Sequence, residues 1–283
     1  MDRNFSRCWR TLALTAGLSL AAAPALAAEP SRPALVPLPS VLDFTKGDGF
    51  GVALGLGVEY EGAYDGSDET EFEVEPAGAV HYRKGNHLFF WEGTELGWRA
   101  RLADVWLVQA GVRNEGGLAP DDSRKGRLAG IQPRDSHVVG FLEVRRGFGD
   151  DWRNWVAARV MGGASDFGVL GVLAAGHRFG EQVDGTGTEI YGFLTFGTED
   201  FINKDFGLSE ADALGSGLPR TTLDGGYRSA GIQIVHRRYL TRNLHAIAQA
   251  GAELYSGDIG DSPIAREDYE FELSLALVWH FGR

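Results

Sequence analysis

The chain has 283 residues and a formal net charge of −12, with 39 acidic and 27 basic side chains. Because nucleic-acid binding needs a basic footprint, nucleic acid is excluded as a partner. Beyond residue 27 no apolar stretch reaches the roughly 18 residues that a membrane-spanning helix needs, so helical membrane spans are excluded as well.

Residues 1–27 are predicted to be an export signal peptide. They begin with a basic segment, continue with the apolar run 11–23, and end at 25–27 with the Ala-Leu-Ala pattern that precedes cleavage. The apolar run is too short for a transmembrane anchor, which needs about 20 residues. Cys8, the one cysteine, lies before this run, so cleavage would remove the thiol and exclude disulfides, thiolate catalysis and zinc–cysteine sites.

Residues 28–47 are predicted to form an extended periplasmic leader, because their four prolines fix φ and remove backbone donors. The first strand is predicted to follow over 50–60. Its even-numbered residues, from Phe50 to Tyr60, are apolar, whereas its odd-numbered residues are glycine, alanine or glutamate. Since successive side chains of a strand point to opposite faces, one face of this strand is apolar and the other is small or polar.

The same alternation returns over 268–281 and runs longer than the roughly 5–6 residues of an ordinary strand. Its apolar face carries Tyr269 at one end and Trp279 and Phe281 at the other. Aromatic side chains at both ends of an apolar stripe are typical of strands that cross a membrane, where these rings lie at the lipid–water boundaries. Together with Tyr60, they are the predicted boundary aromatics, and the apolar stripe is predicted to face outer-membrane lipid.

Ten further strands are predicted between these two. Long polar loops alternate with short turns, and in outer-membrane barrels the long loops face outside while the short turns face the periplasm. For all the long loops to lie on the outer side, the segment 87–102 must be two strands with a break at Gly93. Pro76 predicts a bulge or an early end of its strand. The predicted strands are 71–82, 87–92, 95–102, 104–113, 137–148, 151–163, 167–179, 187–197, 227–240 and 243–255, and the long loops are 62–70, 114–136, 198–226 and 256–267.

The predicted fold is therefore all-β, a transmembrane antiparallel up-and-down β-barrel over residues 48–283 whose first and last strands pair. The count is twelve strands, or ten if segment 87–92 is not a strand, because even numbers are the rule for single-chain bacterial barrels. Ser209 begins a predicted short capped helix at 209–213, within the third long loop.

Three segments carry a resemblance to a known family. They are 60–68 (YEGAYDGSD), 205–209 (DFGLS) followed by 217–219 (GLP), and 257–264 (GDIGDSPI). With these segments the chain resembles the MipA/OmpV family, the MltA-interacting proteins. The resemblance implies a β-barrel in the outer membrane of a Gram-negative bacterium, acting as a scaffold between a murein lytic transglycosylase and a murein synthase. It also implies a structural role for Tyr64 and Gly66.

Barrels of this kind end on an aromatic residue that the barrel assembly machinery reads, so this machinery is an implied partner. Here Phe281 is followed by Gly282 and Arg283, which displaces the expected signal by two residues. Other members of the family are described as osmotically regulated, which supports a second function: a narrow pore or osmotically regulated channel for small solutes.

Charged residues on the inner faces leave two interpretations of the lumen open. Buried charges need partners, which favours a plugged interior held by salt bridges. The alternative is a pore with a charge-selective constriction. The residues expected to face the lumen are Glu59, Glu61, Glu71, Glu73, Glu75, Glu270, Glu272, Arg99, Arg101, Arg145, Arg159 and Arg178.

Metal binding and catalysis are not predicted. The acidic cluster of Asp65, Asp68, Glu69 and Glu71 lacks the residue order of a calcium loop and is interpreted as a hydrated surface loop. Ser136 and His137 are neighbours along the chain and would point to opposite faces of a strand, and the Gly-x-Ser-x-Gly motif of serine hydrolases is absent. We therefore expect no catalytic residues, no metal and no cofactor.

The most distinctive loop of the sequence precedes the last strand. Two interpretations stay open for it: a segment that packs into the barrel mouth and orders the last hairpin, or an interaction site. The residues concerned are Asp258, Asp261, Ser262, Pro263 and Ile264.

Overall fold

The computed structural model describes residues 47–103, 105–149, 152–163, 167–179 and 186–281. Within these residues the chain forms a closed barrel of twelve antiparallel strands, in which each strand pairs with its neighbours in sequence and the last strand pairs with the first. The predicted barrel with twelve strands is confirmed, and the alternative of ten is wrong. The predicted signal peptide, the predicted leader up to residue 46, and Gly282 and Arg283 lie outside the described residues.

The strands follow the predicted pattern closely, with four segments matching it residue for residue. The strands are β1 Gly49–Gly62, β2 Thr70–Lys84, β3 His87–Glu92, β4 Glu95–Leu102, β5 Trp106–Glu115, β6 His137–Phe148, β7 Asn154–Gly162, β8 Val169–Phe179, β9 Gly187–Gly197, β10 Gly226–Tyr239, β11 Leu244–Tyr255 and β12 Tyr269–Phe281.

Alternation along the strands separates an apolar outer surface from a polar interior. β1 and β12 close the barrel with a continuous register from Val52 opposite Phe281 to Tyr60 opposite Leu273. On the outside, Leu54 is exposed, whereas its inward neighbour Ala53 is completely buried. The outward stripe is the surface that hydrocarbon would cover, because a membrane barrel alternates apolar outward and polar inward side chains.

Pro76 does not interrupt its strand, so that prediction is wrong. β2 pairs with β1 from Thr70 to Arg83 without a shift in register, including Leu56 opposite Pro76. Only residues 79–84 of β2 pair with β3 on the other side. A proline lacks the N–H that a sheet ladder uses, so it is tolerated on a strand edge that has no partner.

The β3–β4 hairpin is shorter than its neighbours. β3 has 6 residues and β4 has 8, whereas β2 has 15. The hairpin turns at Gly93, which has a left-handed φ of 53° that suits glycine. On the side of the long loops, the wall is therefore lower at this hairpin than elsewhere.

Four long loops cover the end of the barrel that their length assigns to the outside. They contain a 3₁₀ turn at Pro120–Asp122 and the helices α1 Glu199–Phe206, α2 Glu210–Ser216 and α3 Gly257–Gly260. The predicted helix after Ser209 is confirmed as α2, whose first turn is closed by a reciprocal capping box between Ser209 and Asp212. No helix among the described residues is long and apolar enough to cross a membrane.

One apolar cluster joins all four long loops. We call it the roof cluster: Ala63, Tyr64, Leu118, Leu128, Ile131, Leu208 and Ile264. Because each loop contributes at least one buried side chain, the roof is packed as a single layer across the barrel mouth.

Candidate functional site

Oppositely charged side chains and one glutamine meet inside the lumen. We call this set the lumen network: Glu92, Glu95, Arg99, Gln109, Arg113, Glu143, Arg145, Arg159, Arg178, Glu189 and Arg237. At its centre, Arg159 Nη2 lies 2.6 Å from Glu95 Oε1. Arg145 Nη2 lies 2.9 Å from Glu143 Oε1.

The network continues on both sides of this centre. Arg178 Nε lies 2.6 Å from Glu189 Oε2, and Arg99 Nη2 lies 3.3 Å from Glu92 Oε2. Glu92 also meets His81, with 2.5 Å between Oε1 and Nε2. Salt bridges therefore join charged side chains in the barrel interior, as predicted.

The arginines of the network are also packed against aromatic rings. Arg145 lies over the ring of Trp155 at 4.3 Å, and Arg159 lies over Phe141 at 4.2 Å. A desolvated guanidinium on a ring face gains cation–π attraction in addition to its ion pair. Arg145 is completely buried and Arg159 is 3% exposed, so these side chains fill the lumen instead of lining open water.

Aromatic and imidazole rings fill the lumen near the periplasmic end of β10, β11 and β12. The rings of Tyr239 and His245 stack at 4.5 Å between their centroids, and His280 lies 5.6 Å from His245. His245 and His280 are completely buried. Buried side chains therefore continue from the ion pairs to this side of the barrel.

The outer half of the lumen is a chamber of about 570 Å³ beneath the roof cluster. Its lining combines apolar side chains such as Met161 and Phe193 with many charged ones. Carboxylates outnumber basic side chains, so the chamber attracts cations. The carboxylates are Glu61, Asp65, Glu71, Glu73, Glu115, Asp122, Asp135, Asp205, Glu253, Glu270 and Glu272, and the basic side chains are Arg113, Arg134, Lys204 and Arg228.

Polar contacts fix the loops of the roof to each other. The Glu69 carboxylate accepts hydrogen bonds from Ser123 Oγ and, at 2.9 Å, from the Lys125 amide. Asp68 Oδ2 lies 3.2 Å from both Lys125 Nζ and Arg127 Nη2. Desolvation alone would raise the pKa values of these two carboxyls, but the hydrogen bonds and nearby cations lower both.

A second contact joins the loop 116–136 to the helices. Asp212 accepts a hydrogen bond from the Gln132 amide at 2.7 Å, and Arg134 donates to the carbonyl of Gly207 at 2.7 Å. Although desolvation opposes it, hydrogen bonding to Gln132 and Ser209 lowers the pKa of Asp212.

All three carboxylates of the loop after β1 have partners: Asp68 and Glu69 bind the loop 116–136, and Asp65 binds a buried arginine. Arg228 Nη2 lies 2.8 Å from Asp65 Oδ2, and its Nη1 lies 2.6 Å from Glu253 Oε1. Within the described residues there is no group of three or more histidine, cysteine or acidic side chains arranged to hold a metal ion.

The distinctive loop before β12 divides into a buried and an exposed part. Ser262 Oγ donates to the carbonyl of Phe206 at 2.6 Å, and Ile264 is buried in the roof cluster beside Tyr64. Asp258 and Asp261 are exposed, and Pro263 is half-buried. An interaction site at the exposed part stays a prediction.

Gly66 fits its position for two physical reasons. Its φ is +74°, and a Cβ there would lie 3.0 Å from the Cβ of Ala265. Its carbonyl also accepts hydrogen bonds from the amides of Arg266 and Glu267. Gly66 and Ile264, which are distant in sequence, therefore belong to one junction between the first and last long loops.

The four predicted boundary aromatics all lie on the outer surface. Tyr60 and Tyr269 are near the end with the long loops, and Trp279 and Phe281 are near the other end. Their place at lipid–water boundaries stays a prediction that this arrangement supports.

Arg101 differs from the other arginines that were expected to face the lumen. It is exposed at the periplasmic rim, with its guanidinium 5.2 Å from the ring of Trp152. Sequence reasoning missed the network residues Glu95, Glu143 and Glu189. The alternation of the strands could have identified them, because each lies on the same inward face as an arginine of its own strand or of a neighbouring strand.

A closed antiparallel barrel with an apolar outer surface, aromatic ends and an ion-paired interior defines the class: the protein is an outer-membrane β-barrel. The family model described as MltA-interacting protein MipA matches residues 54–281, so the chain belongs to the MipA family. The family and the fold together locate the protein in the outer membrane.

Solved structures are similar in fold. The COG4313 outer membrane channel from Pseudomonas putida F1 is 12% identical, with 87% of this chain and 100% of that chain covered and a TM-score of 0.51. The toluene transporter TbuX from Ralstonia pickettii is 12% identical, with 83% and 90% covered and a TM-score of 0.40. Among curated proteins there is no significant match.

Proposed function

We propose that the protein is a closed outer-membrane scaffold that keeps a murein lytic transglycosylase, and with it a murein synthase, beside the periplasmic surface of the membrane. The observation that carries this proposal is the filled lumen. Each strand places a buried side chain there: Ala53, His81, Phe90, Arg99, Gln109, Arg145, Trp155, Ala174, Glu189, Arg237, His245 and His280. A diffusion pore would need open space at this level.

The partner is suggested by the family and by the charge of the periplasmic rim. The family is described by its interaction with MltA. Lys84, Arg153 and Arg242 are exposed at the periplasmic ends of different strands or in their turns. Such a rim would steer an acidic surface of a partner and raise its association rate. The predicted leader at 28–47 would add to this contact surface.

Charge reversal at the rim tests the proposal. The purified protein in lipid nanodiscs is immobilised, and binding of a purified murein lytic transglycosylase is measured at low and at physiological salt. We expect the triple variant Lys84→Glu, Arg153→Glu, Arg242→Glu to bind about tenfold more weakly, mainly through a slower association rate. Arg220→Glu reverses an exposed charge in an outer loop and serves as the matched control.

Equal binding by wild type and the triple variant, or no binding by wild type, would contradict the scaffold. A narrow pore for small solutes is the competing function, and single-channel conductance by the wild-type protein would favour it.

A further inference from the structure

The barrel wall has a gap above the β3–β4 hairpin. Glu92 at the end of β3 pairs with Ala79, and Glu95 at the start of β4 pairs with Arg113. β2 continues from Gly78 to Thr70 with β1 on one side and no described strand on the other. This free edge is roughly 26 Å long at ~3.3 Å per residue.

Four structural borders surround this gap, which we call the lateral window. One side is residues 70–78 of β2, and the lower border is the turn at Gly93. The other side is the end of β5 at 113–115, where Arg113 pairs with Glu95, the Asn114 amide donates to the Thr94 carbonyl, and Glu115 extends beyond the hairpin. Its upper border is the loop 116–136, where Arg124 Nη2 donates to the Thr70 carbonyl. All of these residues belong to the described part of the chain.

The backbone chemistry of the free edge indicates that water reaches it. The Gly78 carbonyl accepts from the Gly93 amide at 3.1 Å, and the Thr70 carbonyl accepts from Arg124, so alternate peptide groups between them face the window. These belong to Phe72, Val74 and Pro76. An open sheet edge is not found against lipid hydrocarbon, and unpaired backbone groups at membrane depth occur only where they are buried in protein or line a water-filled cavity. Pro76 reduces the cost further because it has no N–H to leave unpaired.

Trp91 marks the lower border of the window. It is 58% exposed on the outer surface, and its indole N–H donates to the Gly93 carbonyl at 2.9 Å. Tryptophan favours the lipid–water boundary, yet this residue pairs with Val80, well below the outer end of β2. A lipid–water boundary at the level of Trp91 agrees with a polar opening in the barrel wall above it.

The chamber and the window share residues. The chamber lining contains Glu71 and Glu73 from one side of the window and Arg113 and Glu115 from the other. Among the described residues, none of β3 or β4 belongs to this lining. Where the hairpin is short, the chamber therefore has no lining from β3 or β4, and the lining above it comes from the loop 116–136.

We propose that the lateral window connects the chamber with the outer leaflet and admits a cationic amphiphile, with its ammonium group among the chamber carboxylates and its alkyl chain passing Phe72 and Val74 into the lipid. A cavity of about 570 Å³ is in the size range of small-ligand sites. The excess of carboxylates selects a cation and disfavours the phosphates of anionic lipids. This site lies in the outer half of the barrel and does not depend on the proposed scaffold.

Photo-crosslinking in nanodiscs tests the proposal. The probes are a dodecyltrimethylammonium ion and a dodecyl sulfate ion, each carrying a diazirine at the end of its chain, and labelled peptides are identified by mass spectrometry. The ammonium probe is expected to label residues 70–78, Trp91 and 113–115 about tenfold more than β12, with no such preference for the sulfate probe. β12 is the reference because it has a strand on each side.

Two carboxylate variants locate the cation. Glu71→Gln with Glu73→Gln is expected to reduce window labelling by the ammonium probe about tenfold. Glu210→Gln with Asp224→Asn removes two exposed carboxylates outside the chamber and is expected to change nothing. If the double chamber variant does not fold, Glu73→Gln alone is used, with a smaller expected loss in the same direction.

Three results would overturn the proposal: equal labelling of the window and β12, equal window labelling by both probes, or labelling that is unchanged in the chamber variants. A crosslinked dimer joined through residues 70–78 would also overturn it, because the free edge would then pair with a second copy of the chain.

Discussion

Replacing Glu95 by glutamine removes the central carboxylate of the lumen network while keeping its shape. Glu95 Oε1 lies 2.6 Å from Arg159 and 3.5 Å from Arg113. Arg113 keeps Glu115 at 2.7 Å, but Arg159 keeps only the more distant Glu143 at 3.7 Å. The variant therefore leaves one buried guanidinium poorly compensated.

The cost follows from this geometry. Two charges about 4 Å apart attract by about 4 kcal/mol at an effective dielectric constant near 20. Breaking one partner out of a buried ion pair costs about 3–5 kcal/mol in proteins. Because Glu143 compensates part of the loss, we expect Glu95→Gln to lower the free energy of unfolding by about 3 kcal/mol.

Equilibrium unfolding by guanidinium from lipid vesicles, followed by tryptophan fluorescence, measures this change. Glu210→Gln, an exposed position in an outer loop, is the control and is expected to change the free energy by less than about 0.5 kcal/mol. The double variant Glu95→Met, Arg159→Met removes both charges and is expected to recover most of the loss. A loss below about 1 kcal/mol for Glu95→Gln would refute the view that the network stabilises the barrel.

Three further predictions concern the roof. The pKa values of Asp68 and Glu69 are lowered from 3.8 and 4.5 in the folded protein. Their stabilising contribution is therefore complete above pH 4.5 and is lost as the pH falls through the lowered pKa values. Hydrogen exchange of loop 116–136 should accelerate in acid, and an unchanged rate would contradict this. Gly66→Ala should lower the thermal midpoint more than Gly126→Ala, which shares a positive φ but has open space; equal shifts would show that the contact with Ala265 is not limiting. Ser209→Ala should cost about 1 kcal/mol of local stability in α2, seen as faster hydrogen exchange of residues 209–217, with unchanged exchange as the opposing result.

Local sequence patterns were sufficient for the strands. The break at Gly93 gave β3 and β4 their observed bounds, and the alternation at 268–281 gave β12 to within one residue, because the period of two and the turn glycine act within a few residues. The capping box at Ser209 predicted α2 for the same reason. α1 was not predicted, although Glu199 and Asp200 in its first turn and the buried Phe201, Ile202 and Phe206 were a readable signal.

Contacts around the barrel could not be predicted from one sequence. The alternation along each strand indicates that Glu95 and Arg159 face inward. Whether they meet depends on how the register shifts from strand to strand between β4 and β7. Pro76 shows the same limit. Its missing N–H favoured an interruption, and only the register of β3 shows that the edge beside Pro76 has no partner.

Single-channel recording of the wild-type protein in planar lipid bilayers tests the central claim, a lumen closed by buried side chains in its periplasmic half. We expect no steady conductance steps from wild type, and steps to arise in the variant Arg145→Ala, Trp155→Ala, Arg159→Ala, which empties part of the plug. Reproducible steps from the wild-type barrel at low voltage would show that ions pass the lumen network, and the account of a closed scaffold would be wrong.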